Sequence, residues 1–158
     1  MLRRMRILDA AAVAAATPFP DLIDALEDAF AGRVAVAAPP RGHHQTPVPG
    51  RAERTLLVMP AWGGDGSAMT KLVNVVPDAG AFGLPAIQGA VLLSDARTGA
   101  WSWLLDGGEL TARRTAAASA LAARRLARAD STALLVVGAG RLAPALIEAH
   151  AAVRPIRR

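Results

Sequence analysis

The residues Gly138-Ala139-Gly140-Arg141-Leu142-Ala143 have the types and spacing that a phosphate-cradling turn needs. In a G-x-G-x-x-A pattern the first glycine permits a tight turn and the second lets backbone approach a pyrophosphate. The small third residue lets helix and strand pack closely. The flanks suit this reading. STALLVV before the turn reads as a buried strand. RLAPALIEAH after it reads as a helix whose free N–H groups and positive dipole end would meet the phosphates, with Pro144 tolerable in the first turn. The residue that separates NAD from NADP binders is expected about 20 positions further on, past Arg158.

Two cations are the next candidates. Lys71, the single lysine, lies in AMTKLVNVV. Period-two alternation puts it on the face of Met69, Val73 and Val75, with Thr70, Leu72 and Asn74 on the other. A lysine on an apolar face snorkels, loses its proton or meets an anion. Snorkelling from an edge strand is the plain structural alternative. Arg114 follows Thr111, a candidate N-cap, and so falls in a first helical turn. The dipole there disfavours a cation by about 0.3–1 kcal/mol, a cost reversed by a bound anion. Arg113 adjoins it and could equally be the arginine that faces inward. Together these cations suggest a carboxylate pocket opposite a nicotinamide.

The elements that must position them follow from periodicity. PFPDLIDALEDAFAG repeats Leu22, Ile23, Leu26 and Phe30 at helical spacing, with Gly32 to stop it. Residues 38–54 read as a loop, with four prolines, two glycines and no periodicity. His43 and His44 within it would point apart on an extended chain, and without a third clustered ligand no metal site is expected. Strands are predicted at 55–62, 68–76, 86–93 and 100–105, the last two joined by a turn containing Asp95, Thr98 and Gly99. An alanine-rich helix is predicted from 112 to 128. The first hundred residues therefore read as one helix against a largely antiparallel sheet.

Composition narrows the function classes. The chain has 158 residues, no cysteine, and a net charge of +5 from 17 arginines and one lysine against 13 acids. Disulfide and thiolate chemistry are excluded, and the lack of cysteine fits a reducing, cytoplasmic setting. No apolar run of 18 residues exists, so no membrane span is expected. MLRRMRILDAAAVAAATPFP has a basic start and an alanine stretch like a secretory signal, but Asp9 interrupts it, and it reads as a mature N-terminus. With three tryptophans, three phenylalanines and no tyrosine, a base-stacking platform is poorly supplied, so nucleic acid is not an expected partner.

Taken in order, the K-x-V segment at Lys71–Val73, GLPAIQG, LLSDARTGAWSWLLDG, LTARRTAAASALAARRLAR and VVGAG give the chain a resemblance to the ornithine cyclodeaminase/mu-crystallin family over nearly its whole length. The resemblance implies an α+β substrate-binding and dimerisation domain at 1–112, followed at 113–158 by a connecting helix and the first βα unit of an α/β Rossmann domain. It implies the N-terminal portion of such an enzyme, inactive by itself, without the second nucleotide-binding half and its acid–base aspartate. NAD(P)H, a homodimer and a small cyclic imino-acid or amino-acid substrate come with it. Arg41, Lys71 and Arg114 match the residues that hold the substrate carboxylate, with Lys71 also closest to the chemistry. Gly138, Ala139, Gly140, Arg141, Leu142 and Ala143 match the cofactor turn. The family often has an asparagine shortly after the K-x-V strand, in a P-x-N context, where this chain has Pro77-Asp78-Ala79, and the extra acid there would alter substrate choice. The implied activity is reduction of pyrroline-2-carboxylate or piperideine-2-carboxylate to L-proline or L-pipecolate. Ornithine cyclodeamination and non-catalytic small-molecule binding are the alternatives.

Overall fold

The computed structural model describes residues 5–157, so Arg3 and Arg4 of the basic start, and Arg158, lie outside the described residues. The chain divides into two compact units, one of Met1–Ala10 and Ala35–Gly108, the other of Ala11–Val34 and Glu109–Arg158.

The first unit is a mixed sheet. Its strands are β1 (Arg6–Leu8), β2 (Val36–Ala37), β3 (Gly42–Thr46), β4 (Arg54–Gly63), β5 (Ala68–Val75), β6 (Ile87–Ser94) and β7 (Trp101–Asp106). They lie in the order β1-β7-β6-β5-β4-β2, with β3 also paired to β4. All pairs are antiparallel except β1 with β7. The four predicted strands and the turn between the last two are present. In that turn Asp95 Oδ1 accepts bonds from the Arg97 and Thr98 amides and from the Thr98 hydroxyl, and Gly99 takes φ +67°.

Two expectations change here. Residues 42–46, read as loop, form β3. The exposed Gly-His-His-Gln-Thr run shows no apolar alternation because pairing with β4, rather than burial of one face, holds it. β5 is flanked on both sides by β4 and β6, so Lys71 is not on an edge strand. The N-terminal segment read without structure contributes β1 and, in the second unit, a short helix.

The second unit is helical: α1 (Ala10–Ala16), α2 (Phe19–Phe30), most of α3 (Gly107–Leu126) and α4 (Ala143–Ala151). Its core is Phe19 and Ile23 of α2, Ala116, Ala117, Ala120 and Leu121 of α3, and Ala149 of α4. Alanines at that contact allow close helix approach. α2 ends as the sequence suggests, in a left-handed Gly32 with the Arg33 amide on Asp28 O and the Gly32 amide on Ala29 O. Phe30, assigned to the packed face, is 75% exposed, because it sits in the last turn beyond the core contact.

Arg154 closes the other end of α3. Its guanidinium donates to the carbonyls of Ala123, Arg124 and Ala127 at 2.7–2.8 Å, adding donors at the end where a helix runs short of them. Arg124 bridges to Asp24 at 2.6 Å, and Arg124 and Arg125 both pair with Glu27.

β7 passes into α3 with no intervening loop. A Cβ at Gly107 would stand 2.5 Å from the Gly89 carbonyl carbon and 2.7 Å from the Ala90 nitrogen, so two backbones meet where only glycine fits. Gly107→Ala is expected to destabilise by roughly 1–3 kcal/mol or more, as overpacking does, read from urea unfolding midpoints. Gly80→Ala, whose Cβ would meet nothing within 4 Å, is the control and is expected to change little.

Candidate functional site

Register across the sheet decides which side chains share a face. Lys71 pairs with Met59 on one side and Val91 on the other, Val91 pairs with Leu105, and Leu105 with Leu8. The row is apolar around the lysine: Val91 is 0% exposed, and Lys71 itself is half-buried. Arg41 immediately precedes β3, in which Gly42 opposes Val58. Continuing that register by one residue sets Arg41 opposite Met59. Arg41 and Lys71 thus flank Met59 on the same face of the sheet, two strands or about 10 Å apart at the backbone. Two cations with long side chains at that spacing can reach one carboxylate between them. The expected alternation around Lys71 holds, since Val73 pairs with Leu57 and Met69 with Leu93 on this same face.

The next row belongs to His43. It opposes Leu57, which opposes Val73, so His43 shares the face of Arg41 and Lys71. His44 opposes Leu56 on the other face, where its imidazole lies back over Gly42, Nε2 being 2.9 Å from where a Cβ would stand. The adjacent histidines do point apart, though from a strand rather than a loop. Sequence reasoning left His43 out of the site because residues 38–54 gave no register. A strand reading would have exposed the i, i+2 relation to Arg41.

Arg114 needs a correction. α3 starts at Gly107, so Thr111 lies inside it, its carbonyl accepting from the Thr115 hydroxyl, and is not an N-cap. Arg114 is two turns into the helix, past the reach of the N-terminal dipole, which falls off within the first turn. The paired arginines differ in exposure. Arg114 is exposed, whereas Arg113 is 6% exposed and built into the second unit. The Arg113 Nε donates to Thr17 O at 2.9 Å and Thr17 Oγ1 at 3.0 Å, Nη2 donates to Thr17 O at 2.8 Å, and the guanidinium stacks 4.1 Å from the Phe19 ring centroid. Arg113 ties α3 to the α1–α2 corner.

The glycine turn is partly as expected. Gly138 takes φ +111°, which a side chain rarely tolerates, and a Cβ on Gly140 would meet nothing within 4 Å, leaving its backbone open to approach. Helix α4 begins at Ala143, with Pro144 in its first turn, while Arg141 and Leu142 form the turn before it. These residues fit a dinucleotide phosphate. The buried strand expected at 131–137 is not formed. A parallel strand takes its hydrogen bonds from neighbours, and among the described residues no strand pairs with this segment, so Leu135 is 86% and Val137 92% exposed.

Asp78 is engaged by its own chain. Its Oδ2 accepts from Arg51 Nε at 2.6 Å, and the Arg51 guanidinium lies 4.6 Å from the Phe82 ring centroid. The pair joins the β3–β4 connection to the turn after β5, so Asp78 holds two loops together at one end of the sheet.

The sheet unit carries two cations on one face, and the helical unit carries a glycine turn that leads into a helix. The chain belongs to the ornithine cyclodeaminase/mu-crystallin family, whose model matches residues 3–158. It is 40% identical over 154 residues to a Delta(1)-pyrroline-2-carboxylate/Delta(1)-piperideine-2-carboxylate reductase of Azospirillum brasilense, covering 96% of this chain and 48% of that protein. A Thermococcus litoralis Delta(1)-pyrroline-2-carboxylate reductase, solved with NADH and L-proline, superposes with a TM-score of 0.78 at 30% identity over 96% of this chain and 47% of that one. A lysine cyclodeaminase superposes with a TM-score of 0.76 at 34% identity over 98% and 47%. The chain spans about half the length of the curated relatives it matches. No helix among the described residues is long and apolar enough to cross a membrane.

Two outcomes test this geometry. Arg113→Met removes the bonds to Thr17 and is expected to lower stability by roughly 1.5–3 kcal/mol, the range for hydrogen bonds to a charged group, in chemical denaturation. For Asp78, the Arg51 hydrogen bond holds the carboxyl below its ordinary value, against the opposing effect of burial. A depressed folded value makes the pair stabilising above the ordinary aspartate range of about 4, and that stability is lost as pH falls through the folded value. Asp78→Asn is therefore expected to lower the urea midpoint at pH 7 and to shrink the difference between variant and wild type in acid.

Proposed function

We propose that the protein to which this chain belongs reduces cyclic α-imino acids with NAD(P)H, converting pyrroline-2-carboxylate or piperideine-2-carboxylate to L-proline or L-pipecolate. The observation that carries this reading is the shared sheet face of Arg41 and Lys71. A carboxylate held by these two cations is fixed in orientation, and the adjoining imine carbon is polarised for attack, with Arg114 added to the set by the family resemblance. NAD(P)H supplies the hydride when bound, its phosphates meeting the open backbone of Gly138, Ala139 and Gly140 and the turn of Arg141, Leu142 and Ala143. In this reading residues 1–112 serve substrate and dimer, residues 113–158 begin the Rossmann domain, and the reaction runs in the cytoplasm. A homodimer is supported by the second sheet face, where Leu56, Val58, Leu72, Leu92 and Leu104 are only half-buried and Ile7 is 70% exposed.

The lysine cyclodeaminase likeness favours a second reading, in which an α,ω-diamino acid such as ornithine is cyclised with loss of ammonia. NADPH consumption on the cyclic imine against ammonia release from ornithine separates the two. In the full-length protein, Arg114→Ala is expected to raise the imine KM by about 10- to 100-fold, the loss of a charged hydrogen bond, with cofactor affinity unchanged. Unaltered kinetics would remove Arg114 from the site.

A further inference from the structure

We propose that His43 is a catalytic residue of this site, supplying the proton that the imine nitrogen takes up on reduction. The proposal rests on the reductase reading above. Three observations on one strand lead to it. His43 follows Arg41 by two residues, so both lie on the Lys71 face, about 7 Å apart along β3. Its neighbours across the sheet, Leu57 and Val73, are apolar, and Val73 is buried, so the histidine has no polar cross-strand role to explain it. His43 is itself exposed, so its ring can exchange protons with water between turnovers.

The chemistry requires such a group. In an α-imino acid the nitrogen and the carboxylate sit on the same carbon. A carboxylate held between Arg41 and Lys71 therefore brings the nitrogen next to one end of that cationic pair, and His43 is the imidazole two strand positions from Arg41 on the same face. As hydride from the reduced nicotinamide adds to the imine carbon, the C=N π pair moves onto nitrogen and takes up a proton from the His43 ring, which water then replaces. The charged groups that the strands set on this face beside His43 are Arg41 and Lys71, while Arg6 shares the face at the opposite edge of the sheet, on β1.

His44 provides an internal control, since it adjoins His43 but lies on the opposite face. Pyridine-2-carboxylate is a suitable probe, because it keeps a planar ring nitrogen beside a carboxylate. On titrating it into the ¹⁵N-labelled protein, the His43 ring nitrogens are expected to shift and those of His44 to stay. With piperideine-2-carboxylate and NADPH in the full-length protein, His43→Gln is expected to lower kcat on the order of 100-fold, the usual size of a general-acid contribution. KM should change little. His44→Gln should match wild type. His43→Gln at wild-type kcat, or with only KM raised, overturns the proton role. Equal shifts at both histidines overturn the placement. Wild-type protein that shifts at His43 but does not reduce the imine overturns the reductase reading, and the proton step with it.

Discussion

Antiparallel hydrogen bonding between β3, β4 and β5 is the constraint on which the candidate site depends. No single side chain places Arg41, His43 and Lys71 on one face; the ladder does, through the pairs Gly42 with Val58 and Met59 with Lys71. A slip of one residue in β3 would send both Arg41 and His43 to the far side and bring His44 over. The prolines flanking β3, at 39, 40, 47 and 49, and the Arg51–Asp78 bridge at the hairpin end limit where that ladder can start and stop. Position on the face is thus a backbone property, and the residues there can vary in type without moving.

The helical unit solves a different problem, holding alanine-rich helices together when each buries little area. Alanine has high helix propensity but small apolar surface, so arginine side chains take over part of the joining. Arg113 fastens the α1–α2 corner, Arg154 gathers the carbonyls ending α3, and Arg124 with Arg125 meets Glu27 of α2. The basic balance of the chain is therefore in good part structural. Arginine suits this work because its planar fork satisfies several acceptors at once.

The strands from 54 to 106 were legible because half-buried sheet alternates and because glycine and aspartate mark its turns. Lys71 could be assigned to its face from period two alone. β3 was illegible because its stability comes from a neighbour's backbone, which leaves no hydrophobic signature in GHHQT. The start of α3 was misread for a related reason. Thr111 has the chemistry of a cap, but β7 runs directly into the helix at Gly107, where close contact with Gly89 admits only glycine. Arg113 and Arg114 are indistinguishable by type, and only the position of Thr17 and Phe19 separates the anchor from the exposed cation.

Residues 133–137, Ala-Leu-Leu-Val-Val, combine high β-propensity with donors and acceptors that no strand among the described residues takes up. Such a segment is adhesive. Copies of this polypeptide at high concentration would compete to pair there, so yield and solubility would fall with concentration rather than with temperature. A charged residue in place of the outward Val137 would relieve that stickiness while leaving the sheet of the first unit untouched.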